Sequence, residues 1–428
     1  LVMDFINTTY FERFDEEPGK QTVTIIFSMI VSIFCIGGMV GALGTAYAAE
    51  KFGRKGGLLL NNIFVFIAAG LMGFSKMARS YEMMIMGRFF IGLNSGLNAG
   101  LAPMYLTEVS PIHLRGAVGT IYQLVITISI LVSQVLGLPQ ALGTEEHWPY
   151  VFGMTVIPSI FMLASMPLCP ESPRYILIYQ GKEVAAQKAE LIALANKPAP
   201  TPFKCNPSIV TLQEMWNNPV LRTPLFISLV VMLSQQLSGI NVAIFFSTKI
   251  FESAGLSKET SLYATLGMGS INVLMTVVSL VLVERAGRRT LHLIGLAGMG
   301  IITLILTICM ALKTSIPWLS YMSIVCVIGF VVMFAIGPGS IPWFLVSELF
   351  GQGARAIATS IAVAVNWSAN FVVGLGFLPL ANILGDYTFL IFTVLLAIFW
   401  IFTYKKVPET KNKTVEEITS LFRQRVYE

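Results

Sequence analysis

Charge is scarce in this chain. Of 428 residues only 12% are charged, against 55% hydrophobic, and the mean hydropathy is +0.74. Soluble domains carry about a quarter charged residues, so this balance excludes an ordinary soluble enzyme or binding module and predicts a polytopic membrane protein. No GxxxxGK[ST] block occurs, which argues against an ATPase. Cys35, Cys169, Cys205, Cys309 and Cys326 contain no CxxC and no paired extracellular spacing, so neither a disulfide framework nor a zinc site follows. With no metal cluster, cofactor motif or nucleophile constellation, the reading is of a non-enzyme. The net charge of +5 reflects the loop bias described next and does not mark a nucleic-acid surface.

What is abundant is long apolar runs. They lie at 22–46, 57–76, 81–107, 115–138 and 148–168, and again at 225–250, 259–283, 290–312, 318–346, 356–382 and 387–404; a crossing helix needs about 20 residues. Backbone polar groups in lipid must bond internally, and the runs lack the alternation of barrel strands, so they predict an all-α fold. Lys and Arg divide unevenly between alternate connections, about 20 on one side and about 7 on the other, with Arg88 inside a span. The richer side, which holds the C-terminus, is expected to be cytoplasmic, and the membrane to be the plasma membrane.

The chain also repeats itself. Glu50-Lys51-Phe52-Gly53-Arg54-Lys55 recurs as Glu284-Arg285-Ala286-Gly287-Arg288-Arg289; Glu108 and Arg115 recur as Glu348 and Arg355; Pro170-Glu171-Ser172-Pro173-Arg174 recurs as Pro408-Glu409-Thr410-Lys411. The offsets are 234, 240 and 238 residues. Three matched pairs in one order predict two related helical bundles, at 22–168 and 222–405. Between them lies a polar linker, 169–221, with a short helix near 181–195 and the breakers Pro198, Pro200, Pro202 and Pro207. In the tail, 406–428, the stretch from Thr414 to Arg425 reads as a short amphipathic helix that lies on the lipid surface, the simpler reading, or binds a partner. Two spans precede Glu284 in its half and one precedes Glu50. The expectation is therefore eleven of twelve helices, the first being absent from a fragment, an isoform or a trimmed form. Residues 1–21 then read as an extracellular loop, with a glycosylation sequon at Asn7-Thr8-Thr9.

The Gly-Arg-Lys and Gly-Arg-Arg blocks suit tight turns that aim guanidinium groups at neighbouring helix ends, with Glu108 and Glu348 as partners. Positive-inside anchoring is the plainer alternative. A salt-bridge network joining helices within each half, through Arg54, Glu108, Arg115, Arg288, Arg289, Glu348 and Arg355, would hold a cytoplasmic gate shut. With Pro103-Met104-Tyr105, Gln235-Gln236-Leu237-Ser238-Gly239-Ile240-Asn241, Ile341-Pro342-Trp343 and Asn366-Trp367 added, these motifs stand in the order and spacing of one family. The chain resembles the facilitative glucose transporters, sugar porters of the major facilitator superfamily, over essentially its full length. The resemblance implies that fold, a monosaccharide substrate, a lipid surround and no cofactor.

A hexose presents a ring of hydroxyls and apolar C–H faces, so its site needs amides and an aromatic wall. The spans supply Gln123, Gln134, Gln235, Gln236, Asn241, Asn272, Asn366 and Asn370; for each alone, helix–helix hydrogen bonding is an equal reading. By the resemblance, Gln123, Ile126 and Ile130 represent the first half, and Gln235, Gln236, Asn241, Asn272 and Trp343 the second, with Asn366 and Trp367 completing the wall. Gly337, Pro338, Gly339 and Pro342 fit a broken helix that bends to occlude the site, or a static kink. Phe245 and Phe246 stand where the family places gate tyrosines. Met232 and Ala335 replace a glutamine and a glutamate of glucose-type members and match fructose-type ones, which lack the tryptophan kept here as Trp343. Ser340 replaces a proline. Glucose is favoured, with fructose permitted.

No Asp or Glu lies deep in a span, which favours a passive uniporter working by alternating access. The alternatives are a proton-coupled symporter, whose key aspartate would sit on the absent helix, and a transport-dead regulator.

Overall fold

The computed structural model describes residues 1–193, 210–253, 255–312, 315–316 and 318–427. The linker prolines from Pro198 to Pro207 and Cys205 lie outside these residues. Among those described, regular structure is helical throughout.

The chain opens with α1 (Val2–Phe14), where an extracellular loop is expected from the sequence. The reason is a short apolar stripe at helical spacing. Phe5, Ile6 and Thr9 are buried, and the Phe5 ring lies 5.4 Å from that of Trp148. Ion pairs of Glu12 with Arg79 (3.1 Å) and of Arg13 with Glu82 pin the helix to its neighbours. Asn7 is on its exposed face.

The first half continues with α2 (Lys20–Lys51), α3 (Gly53–Gly73), α4 (Tyr81–Val109) and α5 (Arg115–Leu136). The run at 148–168 is built from two short helices, α6 (Trp148–Gly153) and α7 (Val156–Ser165), and a 3-10 turn at Met166–Leu168. Pro149, Pro158 and Pro167 interrupt it. The connection carries α8 (Pro173–Gln180), α9 (Glu183–Ala193) and α10 (Leu212–Asn217). In the second half, the run expected at 225–250 is split into α11 (Pro219–Gln236) and α12 (Ile240–Ser253). Gly239 makes the break: its φ is +90°, and a Cβ there would sit 2.9 Å from the Phe392 ring. Then follow α13 (Lys258–Ala286) and α14 (Arg288–Leu312). The expected broken helix is α15 (Leu319–Ile336) and α16 (Ile341–Leu349), before α17 (Gln352–Leu384), α18 (Thr388–Lys406) and α19 (Val415–Tyr427).

Ten segments among the described residues are long and apolar enough to cross a membrane. α4 also has the length, 29 residues, but Arg88, Asn94 and Asn98 dilute its hydropathy. Within the first half α2 lies hard against α4; between halves α2 packs on α17 and α5 on α13. The α2–α4 contact is backbone on backbone. A Cβ on Gly41 would meet Leu93 O at 2.2 Å and one on Gly96 would meet Gly38 O at 2.1 Å. Gly37-x-x-x-Gly41 and Gly92-x-x-x-Gly96 are the small-residue spacing that permits it.

The blocks at 50–55 and 284–289 lie at one end of the bundle, hereafter the charged end. α19 packs there on protein, a correction to the lipid-surface expectation. Ile418 and Phe422 are buried in one apolar cluster with Met215, Leu349, Phe350 and Val407.

Candidate functional site

Uncharged amides converge where α11 breaks. Gln235 and Gln236 end α11, Asn241 lies in the first turn of α12, and Asn366 and Asn370 occupy successive turns of α17. Gln236 Nε2 donates to Asn366 Oδ1 (3.0 Å), and Asn366 Nδ2 donates to Gln235 Oε1 (2.9 Å) and to Met232 O (3.1 Å). Asn241 Nδ2 donates to Gln236 Oε1 (2.6 Å) and to Asn370 Oδ1 (3.0 Å). Gln235 Nε2 reaches the second break, donating to Gly339 O (2.9 Å) and Pro338 O (3.1 Å). The cluster thus ties both broken helices to α17 without burying a charge, and every link is one a ligand hydroxyl can replace, as donor or acceptor.

The two tryptophans expected as an aromatic wall each pack on a ring of the first half. Trp343, 7% exposed, meets Tyr122 edge-on at 5.5 Å. Trp367, half-buried, meets Phe34 edge-on at 5.3 Å and covers Gly38, where a Cβ would stand 2.5 Å from the indole. Trp343, Trp367, Tyr122 and Met232 belong to one apolar cluster. Both indole N–H groups lack a hydrogen-bond partner among the described residues, as does Asn272 Oδ1. Orphaned buried polar atoms cost about 1–3 kcal/mol each, a cost that a hydroxyl group within reach can offset.

Of the residues expected at the site, Gln235, Gln236, Asn241 and Asn366 are joined directly. Gln123 and Asn272 are buried on the facing helices α5 and α13 outside that hydrogen-bonded cluster, and Ile126 and Ile130 are half-buried on α5. The side chains of Phe245 and Phe246 lie outside the described structure. Pro338 lies within the second break and contributes a carbonyl, and Pro342 lies in the first turn of α16 just beyond it.

At the charged end, Arg54 grips Glu108 with two hydrogen bonds, Nε to Oε2 at 2.9 Å and Nη2 to Oε1 at 3.0 Å. Arg288 grips Glu348 likewise, at 3.3 and 3.1 Å. Ser172 and Thr410 donate to the same two carboxylates. The network expected within each half also crosses between halves. Arg355 Nη1 lies 3.4 Å from Glu108 Oε1, and Glu284 Oε1 accepts from Ala117 N (2.8 Å) in the first turn of α5. Among the described residues, two expected members stand apart from the ion pairs. Arg289 donates to Tyr404 O, and Arg115, buried near Glu348, leaves its Nε unpartnered. Reasoning from sequence missed the part played by the repeated Pro-Glu motif. Glu171 accepts from Arg54 N and Lys55 N (both 3.1 Å), and Glu409 from Arg288 N and Arg289 N (2.9 and 3.0 Å). Each carboxylate thereby caps the helix that begins within the basic block, α3 or α14. The repetition of Glu171 as Glu409 was the available signal.

Two repeated bundles, closed at one end by buried ion pairs and holding an uncharged amide cluster between broken helices, define an integral membrane carrier of the major facilitator fold. A family described as "Sugar (and other) transporter" matches residues 2–422, and the chain belongs to it, among carriers and not enzymes. It is 47% identical to the chicken (Gallus gallus) solute carrier family 2, facilitated glucose transporter member 1, over 99% of this chain and 88% of that protein. It is 44% identical to facilitated glucose transporter protein 1 of Caenorhabditis elegans, over 99% and 86%. Among solved structures it is similar to the proton:xylose symporter XylE bound to 6-bromo-6-deoxy-D-glucose, with TM-score 0.81, 23% identity, and coverage of 98% of this chain and 94% of that one. For inward-open XylE from E. coli the values are 0.69, 24%, 98% and 94%.

Proposed function

We propose that the protein is a facilitative hexose uniporter of the plasma membrane, with glucose as substrate and fructose permitted, that works by alternating access. The observation that carries this reading is the uncharged amide cluster. Its members bond one another through groups that match sugar hydroxyls, and the two indoles beside it suit the C–H faces of a pyranose. Sugar displaces the links of Gln235 to Pro338 and Gly339, and of Gln236 to Asn366, so that occupancy is coupled to the geometry of both helix breaks. The charged end is the cytoplasmic gate, shut here. The Lys and Arg bias supports an orientation with this end and the C-terminus inside the cell, and with α1 and the Asn7 sequon outside. The cluster contains no carboxylate, which supports passive transport; 47% identity to a named facilitated glucose transporter supports glucose.

The test is uptake of labelled glucose and fructose into proteoliposomes, with and without a proton gradient. Saturable uptake that ignores the gradient and is lost in Gln236→Ala is expected. Uptake driven by the gradient would make the protein a symporter, and none from correctly folded protein would make it a non-transporting regulator.

A further inference from the structure

We propose that Ser360 is a positioning residue that fastens one of the two seams between the halves and sets how readily the charged end opens. This rests on the alternating-access reading above. Ser360 is buried on α17, five residues past Arg355, and its Oγ lies 2.7 Å from Ala42 O and 3.1 Å from Leu43 O of α2. The hydroxyl proton is shared between two carbonyls of the opposite half. Ala42 is nine residues from the end of α2 at Lys51, roughly 13 Å inside the bundle at 1.5 Å per residue. Ser360 therefore sits between the Arg355–Glu108 pair at the rim and the contact of Trp367 with Gly38 beside the amides.

The repeat supplies an internal control. In the other seam, α5 against α13, the equivalent positions are Thr120, five residues past Arg115, and Thr276, eight before Glu284 as Ala42 is eight before Glu50. Both are fully buried hydroxyls, and both turn back onto their own helices, Thr120 Oγ1 to Gly116 O and Thr276 Oγ1 to Asn272 O, each at 2.8 Å. At this depth the hydroxyl link between halves is made across the α2–α17 seam and not by these two threonines. Parting the halves at the charged end stretches the α2–α17 seam, and Ser360 must then exchange its carbonyl partners for water or for its own helix. The carbonyls lose little, since each can accept the regular bond of α2. The link thus biases the closed state without leaving an orphan when removed, which suits a residue that tunes an equilibrium.

The experiment places spin labels at Lys51→Cys and Arg285→Cys, one in each half at the charged end, in protein whose native cysteines have been replaced. Distances are measured with and without glucose. Ser360→Ala is expected to raise the population with the charged end apart by about three- to tenfold, the size of one net buried hydrogen bond. Ser360→Thr, which keeps the hydroxyl, and Thr120→Ala, which removes an own-helix bond, are expected to stay within about twofold of the parent. Monodisperse elution and glucose-responsive distances establish that each variant is folded. Two populations that respond to glucose but ignore Ser360→Ala would overturn the role of Ser360 and leave alternating access standing. An equal shift in Thr120→Ala would also overturn it. A parent with one population that glucose does not move would overturn alternating access, and this inference with it.

Discussion

The two halves put the same repeat to different uses, and α4 shows it best against α15 and α16. In the first half α4 runs unbroken for 29 residues and is zipped to α2 through glycines. Shifted by 240 residues, Leu97-Asn98-Ala99 of α4 becomes Gly337-Pro338-Gly339, where the second half breaks. Gly337 is needed there because a Cβ would lie 2.3 Å from Leu291 O, and Pro338 cannot donate to a helix. The carbonyls released by the break are the ones Gln235 holds. The first half is zipped through glycines and is broken in the run of α6 and α7, whereas the second carries the two breaks that lie beside the hydrogen-bonded amides. On the alternating-access reading proposed above, a duplicated bundle thus divides the work: one copy keeps its shape and the other deforms around the ligand.

This contrast can be broken from either side. The largest effect is expected from Glu108→Ala, which removes the one buried carboxylate that two guanidinium groups, Arg54 and Arg355, share, and costs about 3–5 kcal/mol. Its repeat mate Glu348→Ala leaves Arg288 with Glu284 at 3.4 Å, so the loss should be smaller, about 1–3 kcal/mol. Thermal unfolding in detergent ranks the two, and equal losses would refute the difference between the rims. Next comes Gly96→Ala, which drives a methyl into Gly38 O and should cost about 1–3 kcal/mol. Gly267→Ala, on α13 with nothing within 4 Å of the added methyl, should be neutral or stabilising by up to about 1 kcal/mol. For transport, Gln235→Ala should raise the glucose KM by roughly 10- to 100-fold, since it removes one of the partners of Asn366 and the side-chain donor to both break carbonyls. Gln123→Ala, outside that cluster, should raise it by less than about tenfold. The smallest effect belongs to Ser340→Pro. It removes the bond from Ser340 N to Gly337 O (3.2 Å), but that carbonyl keeps Ile341 N (3.2 Å), so a stability change within about 1 kcal/mol is expected.

Much of the architecture was legible because bilayer thickness and repeat spacing act along the chain. The span limits, the break at Gly337 and the pairings of Arg54 with Glu108 and Arg288 with Glu348 all follow from local pattern and duplication. What escaped depends on reach in three dimensions. No spacing tells that Arg355 crosses to Glu108 or that Glu284 caps α5 of the other half, because both depend on how the bundles dock. α1 escaped for another reason. Its acidic composition suggested a loop, while Val2, Phe5, Ile6 and Thr9 already had helical spacing. α19 was recognised as amphipathic, but the pattern alone does not say whether Ile418 and Phe422 face lipid or protein. In the site, amide residue types were legible, whereas the mutual pairing of Gln236, Asn366 and Asn241 was not.

The ion pairs at the charged end also bear on how the protein is made. Arg54 and Arg288 each meet a carboxylate of their own bundle, Glu108 and Glu348, whereas Arg355 meets one made 247 residues earlier in synthesis. The first bundle can neutralise its buried guanidinium before the second has left the ribosome. α17 then enters the membrane with an arginine whose counter-charge is already in place. The order of synthesis thus sets the order in which these partners become available, the older half holding the carboxylate that Arg355 of the younger half meets.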